Sequence, residues 1–540
     1  MVYDAKLAKK ISYFCKKSND IIFSTCQMNL KSLAIAAIAC LSSAAAAAPA
    51  ATSKVELKPA ADAPVIKKEI YGQFAEHLGR CIYGGLWVGP ESGIPNTEGY
   101  RTDVLNALRE LHVPVLRWPG GCFADEYHWM DGIGPRDKRP LMVNSNWGGT
   151  VEDNSFGTNE FFNFCELLGC EPYLSGNVGS GTVEELAKWV EYITAENGPM
   201  AELRKHNGRE KPWKLKYLGV GNESWGCGGN FTADFYANVY RRYQTYCRDF
   251  DGNKLYKIAS GANAGDYNWT EVLMRDAMHH FNGVSLHYYS VSDWNSKGSA
   301  TKFDASDYYT TLAICLEMET LVKRHSEIMD RFDPNITKGL MVDEWGTWWE
   351  VEPGTNPGHL FQQNTMRDAI VAALTLNIFH ENAARVHMAN IAQIANVLQA
   401  MVLTKDAEMV LTPTYYLFKM YVPHMDARLV PLAVTTASRA VEGRKDVPGI
   451  SATCSEKDGV YTVSLTNTSL DNPEKVTVDL AGLGLKLAGG EILTAASVND
   501  YNDFGQPEKV TLKPFSGARV AKGALTVDMP AMSVVTLTLK

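Results

Sequence analysis

Two glutamates follow apolar stretches and precede aromatic side chains: Glu223 in Gly219-Val-Gly-Asn-Glu223-Ser-Trp225, and Glu344 in Leu340-Met-Val-Asp-Glu344-Trp-Gly-Thr-Trp-Trp349. Two carboxyl groups in unlike environments can break a glycosidic bond. One protonates the leaving oxygen and the other attacks the anomeric carbon, with net retention when they stand about 5 Å apart. Either glutamate alone reads equally well as a salt-bridged strand-end carboxylate. The neighbours shift the balance: Trp225, Trp345, Trp348 and Trp349 offer flat faces to a sugar ring, and Arg117, Asn222, His287 and Tyr289 offer hydrogen bonds to hydroxyls. Glu76, His77 and His287 raise a zinc alternative. No H-x-H or H-E-x-x-H pair supports it, so no metal and no cofactor is expected.

Such side chains need a frame that gathers them from distant stretches. Eight strand-like runs alternate with helical patterns: Ile70–Leu78, Val113–Gly121, Glu171–Gly179, Lys214–Glu223, Lys257–Asn263, Gly283–Tyr289, Gly339–Trp345 and Arg385–Gln393. Helical periodicity is read over 101–111, 159–168, 183–196, 232–250, 269–279, 306–331 and 362–380. Eight parallel strands with crossover helices predict a closed (β/α)8 TIM barrel. An open doubly wound sheet would bring a glycine-rich phosphate loop after its first strand, which Tyr71-Gly-Gln-Phe-Ala-Glu-His-Leu78 is not.

The carboxyl ends of barrel strands carry the reactive groups. Here they are Glu76 and His77, Arg117, Asn177, Asn222 and Glu223, Asn263, His287 and Tyr289, Asp343 and Glu344, and Gln393. Glu223 and Glu344 fall on the fourth and seventh strands, which face each other across the mouth. After Pro413 the helical pattern fades into period-two runs such as 459–465, 475–480 and 532–539, an antiparallel, jelly-roll-like β-sandwich. The expected boundaries are 50–69 for a first strand joining the sandwich, 70–412 for the barrel and 413–540 for the sandwich.

The balance of 52 Lys+Arg against 61 Asp+Glu, net −9, makes no electrostatic case for nucleic acid. The 11 cysteines form no C-x-x-C pair, so a disulfide framework or zinc ribbon is not expected. Lys31 followed by the apolar 33–41 and Ala44–Ala48 reads as a secretory signal beginning at Met28, with 1–27 a mis-assigned start. Secretion or periplasmic export follows, with lipid anchoring at Cys40 a lesser alternative. No other run reaches the length of a membrane span.

Several segments together resemble glycoside hydrolase family 51, typically α-L-arabinofuranosidases. They are Tyr71-Gly-Gln-Phe-Ala-Glu-His-Leu-Gly-Arg-Cys-Ile-Tyr-Gly-Gly85, Leu116-Arg-Trp-Pro-Gly-Gly121, Asp131-Gly-Ile-Gly-Pro135, Gly221-Asn-Glu223, Ser285-Leu-His-Tyr-Tyr289, Asp343-Glu-Trp345 and Ala392-Gln-Ile-Ala-Asn396. The resemblance implies a retaining exo-enzyme acting on arabinose-containing oligo- or polysaccharides, with Glu223 as acid/base and Glu344 as nucleophile. It implies that Glu76, Arg117, Asn222, Tyr289 and Gln393 hold the furanose or orient the acids, that Trp147 lines the entrance, and that the chain self-associates as a homo-oligomer. One position departs: relatives often carry Asn where this chain has Cys122, and Asp125 is the expected substitute for the missing hydrogen bond. A β-xylosidase or endoglucanase on the same barrel, and a non-catalytic carbohydrate-binding protein, are the competing readings.

Overall fold

The computed structural model describes residues 51–540. Eight parallel strands close into a barrel in chain order: β1 (Gly72–Phe74), β2 (Val115–Trp118), β3 (Glu171–Gly176), β4 (Tyr217–Val220), β5 (Tyr256–Asn263), β6 (Gly283–Ser290), β7 (Gly339–Thr347) and β8 (Val386–Ala392). Each observed strand overlaps one expected run. Inward-facing Val115, Tyr173, Tyr217, Ile258, Met341 and Met388 pack a separate apolar cluster, leaving polar side chains for the carboxyl ends.

The helices pack apolar faces onto this cylinder. Capping boxes, Thr182 with Glu185, Asp304 with Asp307 and Thr365 with Asp368, satisfy the first backbone donors of Val183–Thr194, Ala305–Cys315 and Met366–Glu381. The pattern over 306–331 resolves into two helices, Ala305–Cys315 and Glu317–Phe332, meeting at Leu316. The helix after β8 is Pro413–Tyr421, so helical structure continues past Pro413, where the sequence pattern fades. Pro413 occupies the first helical turn, where its missing N–H costs nothing, and Thr412 caps the helix by accepting from the Tyr415 N–H.

The remaining chain forms two large sheets, of five and seven strands, and a two-stranded ribbon of Ser438–Arg439 with Val447–Pro448. Ala51–Leu57 joins the five-stranded sheet, antiparallel to Leu432–Thr435 and parallel to Glu474–Asp479. Val55, Val463, Leu465, Val476, Val527 and Leu537 are among the side chains that fill the space between the sheets. The sandwich is tied to the barrel through Met366–Glu381, where Asn377 Nδ2 donates to Ser451 Oγ at 2.9 Å and His380 Nδ1 meets Thr453 Oγ1 at 3.0 Å. Among the described residues no helix is long and apolar enough to cross a membrane.

Candidate active site

Glu344 lies on β7, a strand buried along its whole length. Glu223 follows β4 in a tight turn, with Gly221 at φ +95° and Glu223 itself at φ +39°. The Gly226 and Gly228 N–H groups both donate to the Glu223 carbonyl, at 2.7 and 3.1 Å. One carboxylate oxygen of each glutamate and a nitrogen of His287 lie within 4.8 Å of one another. Across the mouth, a Cβ on Gly121 would stand 3.3 Å from Glu344 Oε2 and 3.4 Å from Glu76 Oε1, so the close approach of this backbone favours glycine.

The two acids are held differently. Glu344 accepts from Arg117 Nη1 at 3.1 Å and from the Tyr289 hydroxyl at 2.8 Å, one donor on each oxygen. Glu223 Oε1 meets His287 Nδ1 at 2.9 Å. Burial raises the Glu223 pKa; the His287 bond opposes that shift and the charge of Glu344 reinforces it. Burial disfavours charge on His287 too, but Glu344, Asp343 and Glu223 outweigh it and push the imidazole up to about 10. A buried cation therefore sits among three carboxyl groups, with Asp343 Oδ1 at 3.2 Å from its other nitrogen.

A cavity of about 450 Å³ opens over this pair, and Glu76, Trp147, His287 and Tyr289 line it beside Glu223 and Glu344. Glu76 accepts from the Gly121 and Phe123 N–H groups, from Trp147 Nε1 at 2.9 Å and from Gln393 Nε2 at 3.0 Å. Burial and the nearby Glu344 push its pKa up to about 7. Arg117, Asn222 and Gln393 are also gathered here, but all three are buried beneath the cavity wall. Arg117 spans Glu344 and Asn222, donating to Asn222 Oδ1 at 2.5 Å, with its guanidinium 4.3 Å from the Phe74 ring centre.

Of the four tryptophans expected at the sugar, Trp225 and Trp348 line the cavity, whereas Trp345 and Trp349 do not. A register shift in β7 between Val342 and Trp345 breaks the alternation, so Asp343 and Glu344 both reach the barrel interior and Trp345 faces the helices, where it packs on Phe379 and Phe418. Trp349 is buried against Arg367 and donates to Asp368. Asp125 does not replace the absent amide either. Its carboxylate turns inward and accepts from the Val178, Gly179 and Asn222 N–H groups.

His77 is also withdrawn, stacked on Phe123 and bonded to Trp118 Nε1, and burial drives its pKa down to about 3. Asn177 accepts from the Ser180 and Gly181 N–H groups and shapes a turn. Among the described residues, two clusters have the spacing of metal ligands: Glu223 with His287 and Glu344, and Cys122 with Glu223 and Cys227. In the first the positive charge is already supplied by His287; in the second the two sulfurs are bonded to each other.

Two features of the site escaped the sequence reading. Trp294, in the loop after β6, lines the cavity with more than half its surface exposed, edge-on to Trp348. A tryptophan in a loop at the carboxyl end of a barrel strand was the available signal. Cys227 forms a disulfide with Cys122 across 105 residues, a pairing that no local spacing announces.

A (β/α)8 barrel whose strand ends bring two carboxyl groups within reach of one anomeric carbon defines a glycoside hydrolase. Its family follows from comparison with known proteins. The model "Alpha-L-arabinofuranosidase 1 domain" matches residues 107–307, and "Alpha-L-arabinofuranosidase C-terminal domain" matches residues 343–533. An intracellular exo-α-L-arabinofuranosidase of Bacteroides ovatus is 62% identical over 88% of this chain and 93% of its own. The crystal structure of the GH51 arabinofuranosidase from Xanthomonas axonopodis pv. citri superposes with a TM-score of 0.89 at 48% identity, covering 91% of this chain and all of that one. An arabinose complex of the Thermotoga maritima α-L-arabinofuranosidase gives 0.78 at 30% identity, over 90% and 99% of the two chains. The chain belongs to the α-L-arabinofuranosidases of glycoside hydrolase family 51, which sets aside the xylosidase, endoglucanase and binding-protein readings.

One expectation is corrected. Secretion or periplasmic export rested on the apolar stretch after Met28 and on Cys40, both outside the described residues, whereas the Bacteroides relative is an intracellular enzyme. A basic start, an apolar stretch and small residues form a low-information pattern, and here it misled.

Proposed function

We propose that the enzyme removes terminal non-reducing α-L-arabinofuranosyl residues by double displacement, with Glu223 as acid/base and Glu344 as nucleophile. The observation that carries this reading is the approach of their carboxylate oxygens to within 4.8 Å. Retaining pairs stand about 5 to 5.5 Å apart, whereas an inverting pair needs about 6.5 Å or more to admit a water. Glu344, with a donor on each oxygen, is aimed for attack. Glu223, kept protonated by burial beside Glu344, protonates the departing oxygen. Once Glu344 is esterified its charge is gone, the Glu223 carboxyl becomes more acidic, and it takes a proton from the incoming water.

Glu76, fixed by Gln393, Trp147 and two backbone N–H groups, binds furanose hydroxyls. Trp147, Trp348 and Trp294 receive the rest of the substrate. Short arabinose-containing oligosaccharides are the proposed substrates, because the Bacteroides relative works inside the cell, where polymers do not enter. Self-association is also proposed, on the exposed Leu141, Val143 and Val151 of the hairpin that carries Trp147, and light scattering tests it.

The deciding experiment is an early-time proton NMR spectrum of hydrolysis with methanol present. A methyl α-L-arabinofuranoside as first transfer product supports the reading; first release of the β-configured sugar overturns it. Turnover of arabino-oligosaccharides should exceed that of polymeric arabinan.

A further inference from the structure

The Cys122–Cys227 bond stands against the group that must deliver and recover the proton. Cys122 follows Gly121 in the segment after β2, and Cys227 lies in the turn that carries Glu223. Their sulfurs lie 3.9 and 3.5 Å from Glu223 Oε2, the oxygen that His287 does not hold. A disulfide sulfur carries no hydrogen, so this face of the carboxyl meets an apolar wall in which no neighbour donates. The bond also ties the Glu223 turn to the segment after β2, two strands away in the barrel. Behind it, a Cβ on Gly228 would stand 1.8 Å from the Asn222 carbonyl, so the turn folds down with little room to shift.

We propose that in the oxidised enzyme the Cys122–Cys227 disulfide is a positioning element for Glu223, holding its carboxyl in a donor-free, fixed setting so that it delivers its proton to poor leaving groups, and that the reduced form favoured inside a cell lacks this element. This rests on the acid/base reading of Glu223. Reduction by a dithiol balances simply: the S–S bond breaks, two thiols form, and the dithiol closes to its own disulfide. The reduced site then offers two S–H donors to Oε2 and releases the turn, and both changes favour the ionised carboxyl. The charged groups that face Glu223 are His287 from β6, Glu344 from β7 and Arg117 from β2, and reduction alters none of them. Cys227 is exposed and so within reach of a reductant, whereas Cys81, Cys165, Cys247, Cys315 and Cys454 are buried.

The experiment compares the air-purified enzyme before and after dithiothreitol, with thiol titration to count two new thiols. The substrates are an alkyl and a 2,4-dinitrophenyl α-L-arabinofuranoside. Reduction should lower kcat/KM for the alkyl substrate by about fivefold to tenfold, leave the dinitrophenyl substrate within about twofold, and move the basic limb of the pH profile to lower pH. A Cys122→Ser/Cys227→Ser variant should match the reduced enzyme and ignore dithiothreitol. Equal losses on both substrates, or no change once two thiols have appeared, would overturn the proposal. So would an enzyme whose thiol count shows no disulfide even after treatment with an oxidised dithiol. Glu223→Ala serves as the control. If it shows no leaving-group dependence the acid/base assignment itself is wrong, whereas dependence there with an indifferent wild type removes only the role of the disulfide.

Discussion

His287 lies 2.9 Å from Glu223 through the nitrogen that also stands 3.5 Å from Glu344, so one buried cation serves both acids. The imidazolium restrains the rise of the Glu223 pKa that burial and Glu344 impose. The site is a coupled set rather than two separate carboxyls, and its variants should behave accordingly.

Glu223→Ala should lose about 10³-fold or more in kcat/KM on an alkyl arabinofuranoside and far less on a dinitrophenyl one, because only the first needs a proton in the transition state. Steady-state kinetics on the two substrates checks this. Equal losses would remove Glu223 from the acid role.

His287→Asn takes away the bond and charge that oppose proton retention by Glu223. The basic limb of the kcat/KM profile, where Glu223 loses its proton, should move up by about one pH unit. Neutral-pH activity should fall up to about 10²-fold as both acids lose alignment. A basic limb that stays put would show that Glu223 does not set it.

Arg117→Met leaves Glu344 and Asp343 without their buried guanidinium, which sits 3.1 and 3.8 Å from them. Removing one partner of a buried ion pair costs about 3 to 5 kcal/mol. Chemical denaturation should show a loss of that size together with a fall in kcat. A variant of native stability would mean that water or His287 compensates.

His77 and His424 are buried and neutral, each driven by burial from 6.5 down to about 3. The unfolded chain binds their protons near pH 6.5 and the folded chain does not. Stability is therefore complete above about pH 6.5 and drains away as the pH falls towards 3. Melting temperatures across that range should drop, and His424→Gln should flatten the slope. His424 bonds Ser455 and Ser464, so the variant also loses some stability at neutral pH.

Trp294→Ala should raise KM for an arabino-oligosaccharide about threefold to tenfold, the worth of one aromatic contact, while sparing a small aryl arabinofuranoside. Matched effects on both substrates would place Trp294 outside the leaving-group side of the cavity.

The barrel, its eight strands and the candidate acids Glu223 and Glu344 were legible from residue order alone. Strand periodicity and strand-end placement are local properties, and each acid ends its own apolar run. What a side chain does after its strand ends is settled by packing partners far away in the chain. Trp345 and Trp349 look as available as Trp348, yet the register shift of β7 turns Trp345 onto Phe418 and Arg367 covers Trp349. Asp125 turns towards three backbone donors, and Arg117, Asn222 and Gln393 brace the site from below. The Cys122–Cys227 bond joins positions that only barrel closure brings together. Which groups could do chemistry was written in the residue types; which of them touch one another was decided by the closed sheet, because its circumference alone sets distances between strands.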